Sequence, residues 1–223
     1  MLDILFRDEH LAVLAKPPGV SLLADRSGAD CLWDDLPERL GAKPYLVHRL
    51  DKGTSGVLLV ALDQPTQRRL TRAFQARTVR KYYLAWVAGS MPWGRTRTID
   101  LPLRKGRKSR YRVAGPRASI REAASGWSLG APDGDGHPSV TRLRVLRRSD
   151  ARTLVLAAPV TGRTHQIRVH LAWIGHPLLG DHLYGRPDDP AQQAPRLQLH
   201  CHRLVVPDYG TYSAGTPVDW VSG

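Results

Sequence analysis

Six consecutive residues, Gly56-Val-Leu-Leu-Val-Ala61, form an apolar run without a polar break. The length is that of a β-strand, and the missing alternation predicts burial on both faces. The chain must therefore fold around this strand. Just after it, Asp63 has the chemistry of a helix N-cap and Pro65 that of a first-turn residue. The pattern predicts a helix to about Ala76, with Leu70, Ala73 and Phe74 facing inward. Arg68, Arg69, Arg72 and Arg77 fall on its polar side.

Other segments are shorter. Ile4–Phe6 and Leu11–Ala15 flank Arg7-Asp-Glu-His10 as a hairpin, and Lys16-Pro-Pro-Gly19 then breaks the chain. Cys31–Leu40 reads as a short helix, Tyr82–Ala88 as a strand. Val140–Leu146 and Thr153–Ala158 read as a pair joined by a polar turn. Ile167, Leu171 and Ile174 follow helical spacing over Thr164–Trp173, which Gly175 ends. Leu197–Val206 is a late strand. Strands interrupted by a few helices point to an α+β fold with a mixed, mainly antiparallel sheet. The 223 residues fit one domain, and no repeat divides them.

The chain carries 33 Lys and Arg against 20 Asp and Glu, a net charge of +13. Such an excess suggests a polyanionic partner, most simply nucleic acid. It is uneven: residues 91–150 hold fourteen basic and five acidic residues. Much of that lies in Arg104, Lys105, Arg107, Lys108, Arg110 and Arg112. Rich in Gly, Ser and Pro, the 104–137 stretch is expected to be a loop or irregular insertion. Its basic part reads as an arm that tracks phosphates, against the plainer reading of a solvated loop. No apolar stretch is long enough to span a membrane, and the N-terminus lacks the pattern of a signal peptide. Cys31 and Cys201 make no disulfide framework, so a reducing cytoplasm is expected.

Two segments carry chemistry. In Val47-His-Arg-Leu-Asp-Lys-Gly-Thr-Ser-Gly56 a carboxylate, Asp51, stands among His48, Arg49 and Lys52, which favour its ionised form. It could serve as nucleophile or base, or simply cap a turn. Gly53-Thr-Ser-Gly56 does not match the nucleophile elbow of serine hydrolases. In Pro159-Val-Thr-Gly-Arg-Thr-His-Gln-Ile-Arg-Val-His170, Arg163, His165, Gln166, Arg168 and His170 crowd a helix start. Cations are unfavourable there, so a nearby acid or bound phosphate is expected; the alternative is a solvent-facing helix. His200-Cys-His202 fits no zinc spacing, and no metal or nucleotide-cofactor motif is present.

These blocks together resemble the RluA family of RNA pseudouridine synthases. Four match in order. They are Ile4-Leu-Phe with Lys16-Pro-Pro-Gly19; His48-Arg-Leu-Asp-Lys-Gly-Thr-Ser-Gly56; Lys81-Tyr-Tyr-Leu-Ala85; and Thr161-Gly-Arg-Thr-His-Gln-Ile-Arg168 with Gly175-His-Pro-Leu-Leu-Gly-Asp181. Tyr184-Gly185 follows. Residues 104–137 do not align, and the extra N-terminal RNA-binding domain of longer members is not expected.

The resemblance implies a pseudouridine synthase fold, with helices and loops flanking a central cleft in a single catalytic domain. It implies Asp51 as the catalytic aspartate. Arg49 would enter the RNA stack where the uridine flips out, and Tyr83 would stack on the base. Tyr82 would point to the opposite strand face. Arg163 would pair with the carboxylate, and Ile167 would lie under the uracil. Three roles are open to Asp51: attack at C1′, addition to C6, or removal of the C2′ proton. The isomerisation needs no redox step or external group, so no cofactor or metal is expected. The partner would be rRNA or tRNA, and the default state a monomer. A non-catalytic RNA-binding or ribosome-assembly protein is the alternative. A glycosidase fits worse because it needs two acids, and Asp181 reads as structural.

Overall fold

A computed structural model describes residues 2–24, 31–92, 94–107, 110–132, 134–185, 188–189 and 192–220. It divides into two units, Met1–Lys81 with His200–Gly223, and Tyr82–Leu199.

The first unit is organised around the apolar run. Strands β1 (Asp3–Arg7) and β2 (Leu11–Lys16) form the expected hairpin. The Asp8 carboxylate closes its turn by accepting the His10 and Leu11 amide N–H groups, each at 2.8 Å. Strand β3 (Tyr45–Leu46) is short, and β4 (Ser55–Ala61) is buried at all seven positions. On one side β2 pairs antiparallel with β4, from Leu11 opposite Ala61 to Lys16 opposite Gly56. On the other, β13 (Leu199–Val206) runs parallel to it, with His200 opposite Ser55 and Cys201 opposite Gly56. Burying Val57, Leu58, Leu59 and Val60 stabilises the unit by about 1.5–3 kcal/mol each. Gly56 has φ +112°, and a Cβ there would run into the Cys201 carbonyl oxygen, so only glycine lets these two backbones meet. Strand β14 (Gly210–Ser213) pairs with β13.

Helix α1 covers Leu32–Leu40, one residue short of the expected start. Helix α2 spans Gln64–Gln75. As expected, Asp63 caps α2: its carboxylate accepts the Thr66 amide at 2.7 Å and the Thr66 hydroxyl at 3.0 Å. Leu70 is buried, Ala73 and Phe74 half-buried, and Arg68, Arg69 and Arg72 exposed.

In the second unit, β5 (Arg80–Ala88) pairs with β12 (Arg152–Pro159), and β12 with β11 (Val140–Arg148). The sheet continues through β6 (Arg97–Asp100), β10 (Gly126–Leu129) and β9 (Ile120–Ala123). All these pairs are antiparallel except β6 with β10. Strands β7 (Leu103–Lys105) and β8 (Tyr111–Val113) form a separate hairpin. The 104–137 stretch is thus not the loop expected from its composition. Its described residues include short strands, β7 to β10, and one helical turn at Arg117–Ser119.

Helix α3 (Gln166–Trp173) lies over β11 and β12. It is not the solvent-facing helix of the alternative reading: every residue from Gln166 to Ala172 is buried. His170 is fully buried, with Nδ1 3.0 Å from the Thr141 hydroxyl and Nε2 2.9 Å from the Leu101 carbonyl. Burial pushes its pKa down to about 4, so the ring is neutral, donating from Nε2 and accepting at Nδ1. Both cysteines are buried free thiols.

Candidate active site

Asp51 stands on the loop joining β3 to β4, and Val47, His48 and Leu50 anchor the residues leading to it. Val47 is buried. His48 accepts the Leu59 amide of β4 on Nε2 at 2.9 Å, and its ring stacks on Phe74 of α2 at 4.7 Å and 15°. Burial, with Lys81 adding repulsion, pushes its pKa down to about 3, so His48 works as a neutral acceptor. Arg49 is exposed, Leu50 buried, and Asp51 half-buried. The Asp51 carbonyl accepts the Thr54 amide at 3.0 Å, closing a tight turn over Lys52 and Gly53.

That turn sits on a buried cation. Lys16, at the end of β2, is 1% exposed. Its ammonium donates to the carbonyls of Pro17 at 2.8 Å, Lys52 at 3.1 Å and Thr54 at 2.9 Å. The Gly19 amide donates to the same Lys52 carbonyl at 2.9 Å. Three acceptors match the three donors of an ammonium. Burial lowers the Lys16 pKa to about 8, and the charge of Asp51 acts in the opposite direction. A lysine here adds a positive charge to the Asp51 turn, on top of Arg49 and Lys52. Sequence reasoning saw only a chain break at Lys16-Pro-Pro-Gly19. The available signal was a lysine continuing the buried run Leu11–Ala15.

In the second unit, Tyr83 is 9% exposed on β5 and lies opposite Ala157 of β12. Ala157 also faces Leu143 of β11, so Tyr83 belongs to the sheet face that α3 covers. Tyr82 points to the other face, as alternation requires. Arg163 is exposed, on the turn between β12 and α3, and Ile167 is buried in the first turn of α3.

Gln166 shapes that turn. Its Oε1 accepts the Thr161 hydroxyl at 2.6 Å and the Arg163 amide at 3.1 Å. Its Nε2 donates to the Val140 carbonyl at 3.0 Å and the Thr141 hydroxyl at 2.9 Å. The side-chain amide is fully used and can sit only one way round. His165 follows Arg163 closely in a left-handed conformation, φ 55°. Its Nδ1 lies 2.8 Å from the Tyr184 hydroxyl, which also accepts the Tyr111 amide of β8 at 2.9 Å.

The acid expected near these cations is Asp181. Arg168 grips it through Nε–Oδ2 at 2.8 Å and Nη2–Oδ1 at 2.7 Å, both groups buried. Asp181 also accepts the Leu183 and Tyr184 amides, which agrees with a structural role. Of the basic hairpin, Arg104 is half-buried, and Lys105, Arg107 and Arg110 are exposed; Lys108 lies outside the described residues. His200 bonds the buried Ser55 hydroxyl at 2.9 Å, and His202 the Ala214 carbonyl at 2.9 Å.

Residues 10–173 match a family model described as RNA pseudouridylate synthase. Over 207 residues the chain is 37% identical to an uncharacterised RNA pseudouridine synthase of Zymomonas mobilis, covering 91% of this chain and 86% of that one. It is 36% identical over 214 residues to the dual-specificity RNA pseudouridine synthase RluA of Salmonella typhi, covering 94% and 89%. Among solved structures, human RNA pseudouridylate synthase domain containing 4 superposes with a TM-score of 0.79 at 27% identity, over 98% of this chain and 90% of that one.

Proposed function

We propose, for a chain that belongs to the RluA-type RNA pseudouridine synthases and isomerises uridine to pseudouridine in RNA, that Asp51 is the carboxylate that acts on the nucleotide. The observation that carries this reading is the Asp51 turn: a half-buried carboxylate on a backbone fixed by the buried Lys16 ammonium. The reaction breaks the N1–C1′ bond, turns the uracil and joins C5 to the same C1′. The C5 proton leaves and N1 gains one, so atoms and electrons balance without an external group. The uridine must first leave its stack, at a cost of a few kcal/mol. Arg49, exposed two residues before Asp51, fills the gap left behind. Tyr83 stacks on the flipped base, Ile167 supports it from below, and Arg163 neutralises the carboxylate.

The hairpin residues Arg104, Lys105, Arg107 and Arg110 hold RNA backbone in this reading, with Lys108 in the same segment. The substrate is rRNA or tRNA. One catalytic domain, a monomeric state and a cytoplasmic location complete the proposal; among the described residues no helix is long and apolar enough to cross a membrane.

RNA labelled with tritium at uridine C5 tests the role of Asp51, because isomerisation releases that label to water. Asp51→Asn is expected to abolish release while RNA affinity stays within about threefold. Full release by the variant sinks the assignment.

A further inference from the structure

Strand β11 reads Val140-Thr-Arg-Leu-Arg-Val-Leu-Arg-Arg148. Thr141 and Leu143 are buried on the face that α3 covers, while Arg142 and Arg144 are exposed on the other. Regular alternation would next put Leu146 on the arginine face and send Arg147 inward. Instead the register slips between Val145 and Arg147. A bulge of this kind re-aims the residues that follow it. Arg147 comes to lie opposite Leu154, just as Arg144 lies opposite Leu156 and Arg142 opposite Ala158. Those partners share one face of β12, and Ala157, the partner of Tyr83, points to the other. Three arginines therefore stand in one row, with about 7 Å of strand between Arg142 and Arg144.

Among the described residues of the sheet, one acid, Asp100, shares the face of the row, and it makes no ion pair with it. Opposite charges across strands stabilise a sheet, and like charges side by side oppose it. Yet neither β12 nor β5 contains an acid. On β6, Arg142 faces Thr98, and Asp100 is displaced to face Val140. Other arginines of the same sheet are matched. Arg97 bonds Glu122 at 2.7 Å and lies 3.8 Å over the Trp127 ring, and Arg152 lies 4.9 Å over Trp86. Among the described residues, Arg142, Arg144 and Arg147 make no ion pair and no side-chain hydrogen bond. The bulge thus adds a third charge to a row that ordinary sheet energetics would avoid.

We propose that Arg142, Arg144 and Arg147 form a second RNA-backbone contact, on the sheet face opposite Tyr83, that grips double-helical RNA beyond the loop holding the target uridine. Guanidinium is suited to this because its fork takes phosphate oxygens two at a time. Unpaired bases are held by stacking on aromatic rings, and neither β11 nor β12 carries one, so the row suits the phosphates of a duplex better than a splayed single strand. The surface is separate from the β7–β8 hairpin, so the chain holds its substrate at two places.

The test compares the full chain with the triple variant Arg142→Gln, Arg144→Gln, Arg147→Gln. A labelled 24-base-pair RNA duplex and a 12-nucleotide oligouridine are titrated from 50 to 300 mM KCl. Each lost phosphate contact flattens the salt dependence of log K by about 0.9. The duplex slope is therefore expected to drop by about 2–3, with affinity at least about tenfold weaker at 0.1 M KCl. Oligouridine binding is expected to move less than twofold. Arg→Lys at the same three positions should keep most of the slope, which separates loss of charge from loss of fold. An unchanged duplex slope overturns the proposal. So does an equal loss on oligouridine, or a lysine variant as weak as the glutamine one.

Discussion

The turn bearing Asp51 and the turn bearing Arg163 are held by the same device with opposite electrostatics. In each, one buried polar side chain ties together backbone groups around the turn. Lys16 uses an ammonium on three carbonyls. Gln166 uses a neutral amide on one backbone donor, one backbone acceptor and two hydroxyls. A charge is the stronger clamp and adds a field at the carboxylate, but it must be kept out of water and it titrates. An amide adds no field and is indifferent to pH. The carboxylate turn has the clamp that also acts on charge; the arginine turn, already cationic, has the one that does not.

The largest expected effect comes from removing the charged clamp. Lys16→Met removes a donor from three carbonyls, leaving Lys52 with only the Gly19 amide, and should destabilise the protein by about 3–5 kcal/mol in denaturant unfolding. Isomerisation by the fraction still folded should fall at least about tenfold. An intact rate in folded Lys16→Met would break the comparison, since the turn would then hold itself. Lys16 carries a pH signature as well. Its folded pKa of about 8 lies below the ordinary 10.5, so between those values the unfolded chain binds more protons. The Lys16 share of stability therefore rises with pH across that window, and the rise is absent in Lys16→Met.

Gln166→Leu should cost about 2–4 kcal/mol by stranding the groups it joins. The loss should be the same from pH 6 to 10, because an amide does not titrate. A pH-dependent loss would show that the two clamps differ less than their chemistry suggests.

The smallest effect is on the acid side and touches both turns' neighbourhoods. His48 and His170 are held neutral, at about 3 and about 4, against an ordinary value of 6.5. Below pH 6.5 the unfolded chain takes up protons that the folded one refuses, so stability falls as pH drops from 6.5 towards 4. Each histidine contributes up to about 1.4 kcal/mol per pH unit. His170→Asn should flatten that slope by one histidine's share in urea melts at pH 5 and 6.5. An unchanged slope would remove His170 from the account.

What the sequence made legible follows from range. The β4 run, the Asp63 cap and the β1–β2 hairpin are set by residues within a few positions of one another, and local pattern exposes them. Asp51, Arg163 and Tyr83 are singled out only by their places in family motifs, and their roles stand as proposals. Lys16 was not legible as a clamp, because its three acceptors include residues 36 and 38 positions away. The 104–137 strands were also hidden. Segments of three or four residues show no periodicity, and β10 finds its partner in β6 across an intervening hairpin. Gln166 stood in plain view among cations that drew the attention, although its buried amide organises the turn they occupy.

The parallel pairing of β4 with β13 sets a clock on synthesis. Ser55 meets His200 across 145 residues of chain. At 5–20 residues per second, a ribosome takes roughly 7–30 s to make that stretch. For that interval the most apolar strand of the chain has β2 along one side and, on the other, only the short β3 at Val60 and Ala61, so most of that edge is open. Open apolar edges invite pairing with other chains. The glycine that lets β4 and β13 meet is therefore also where the apolar strand waits for a late partner.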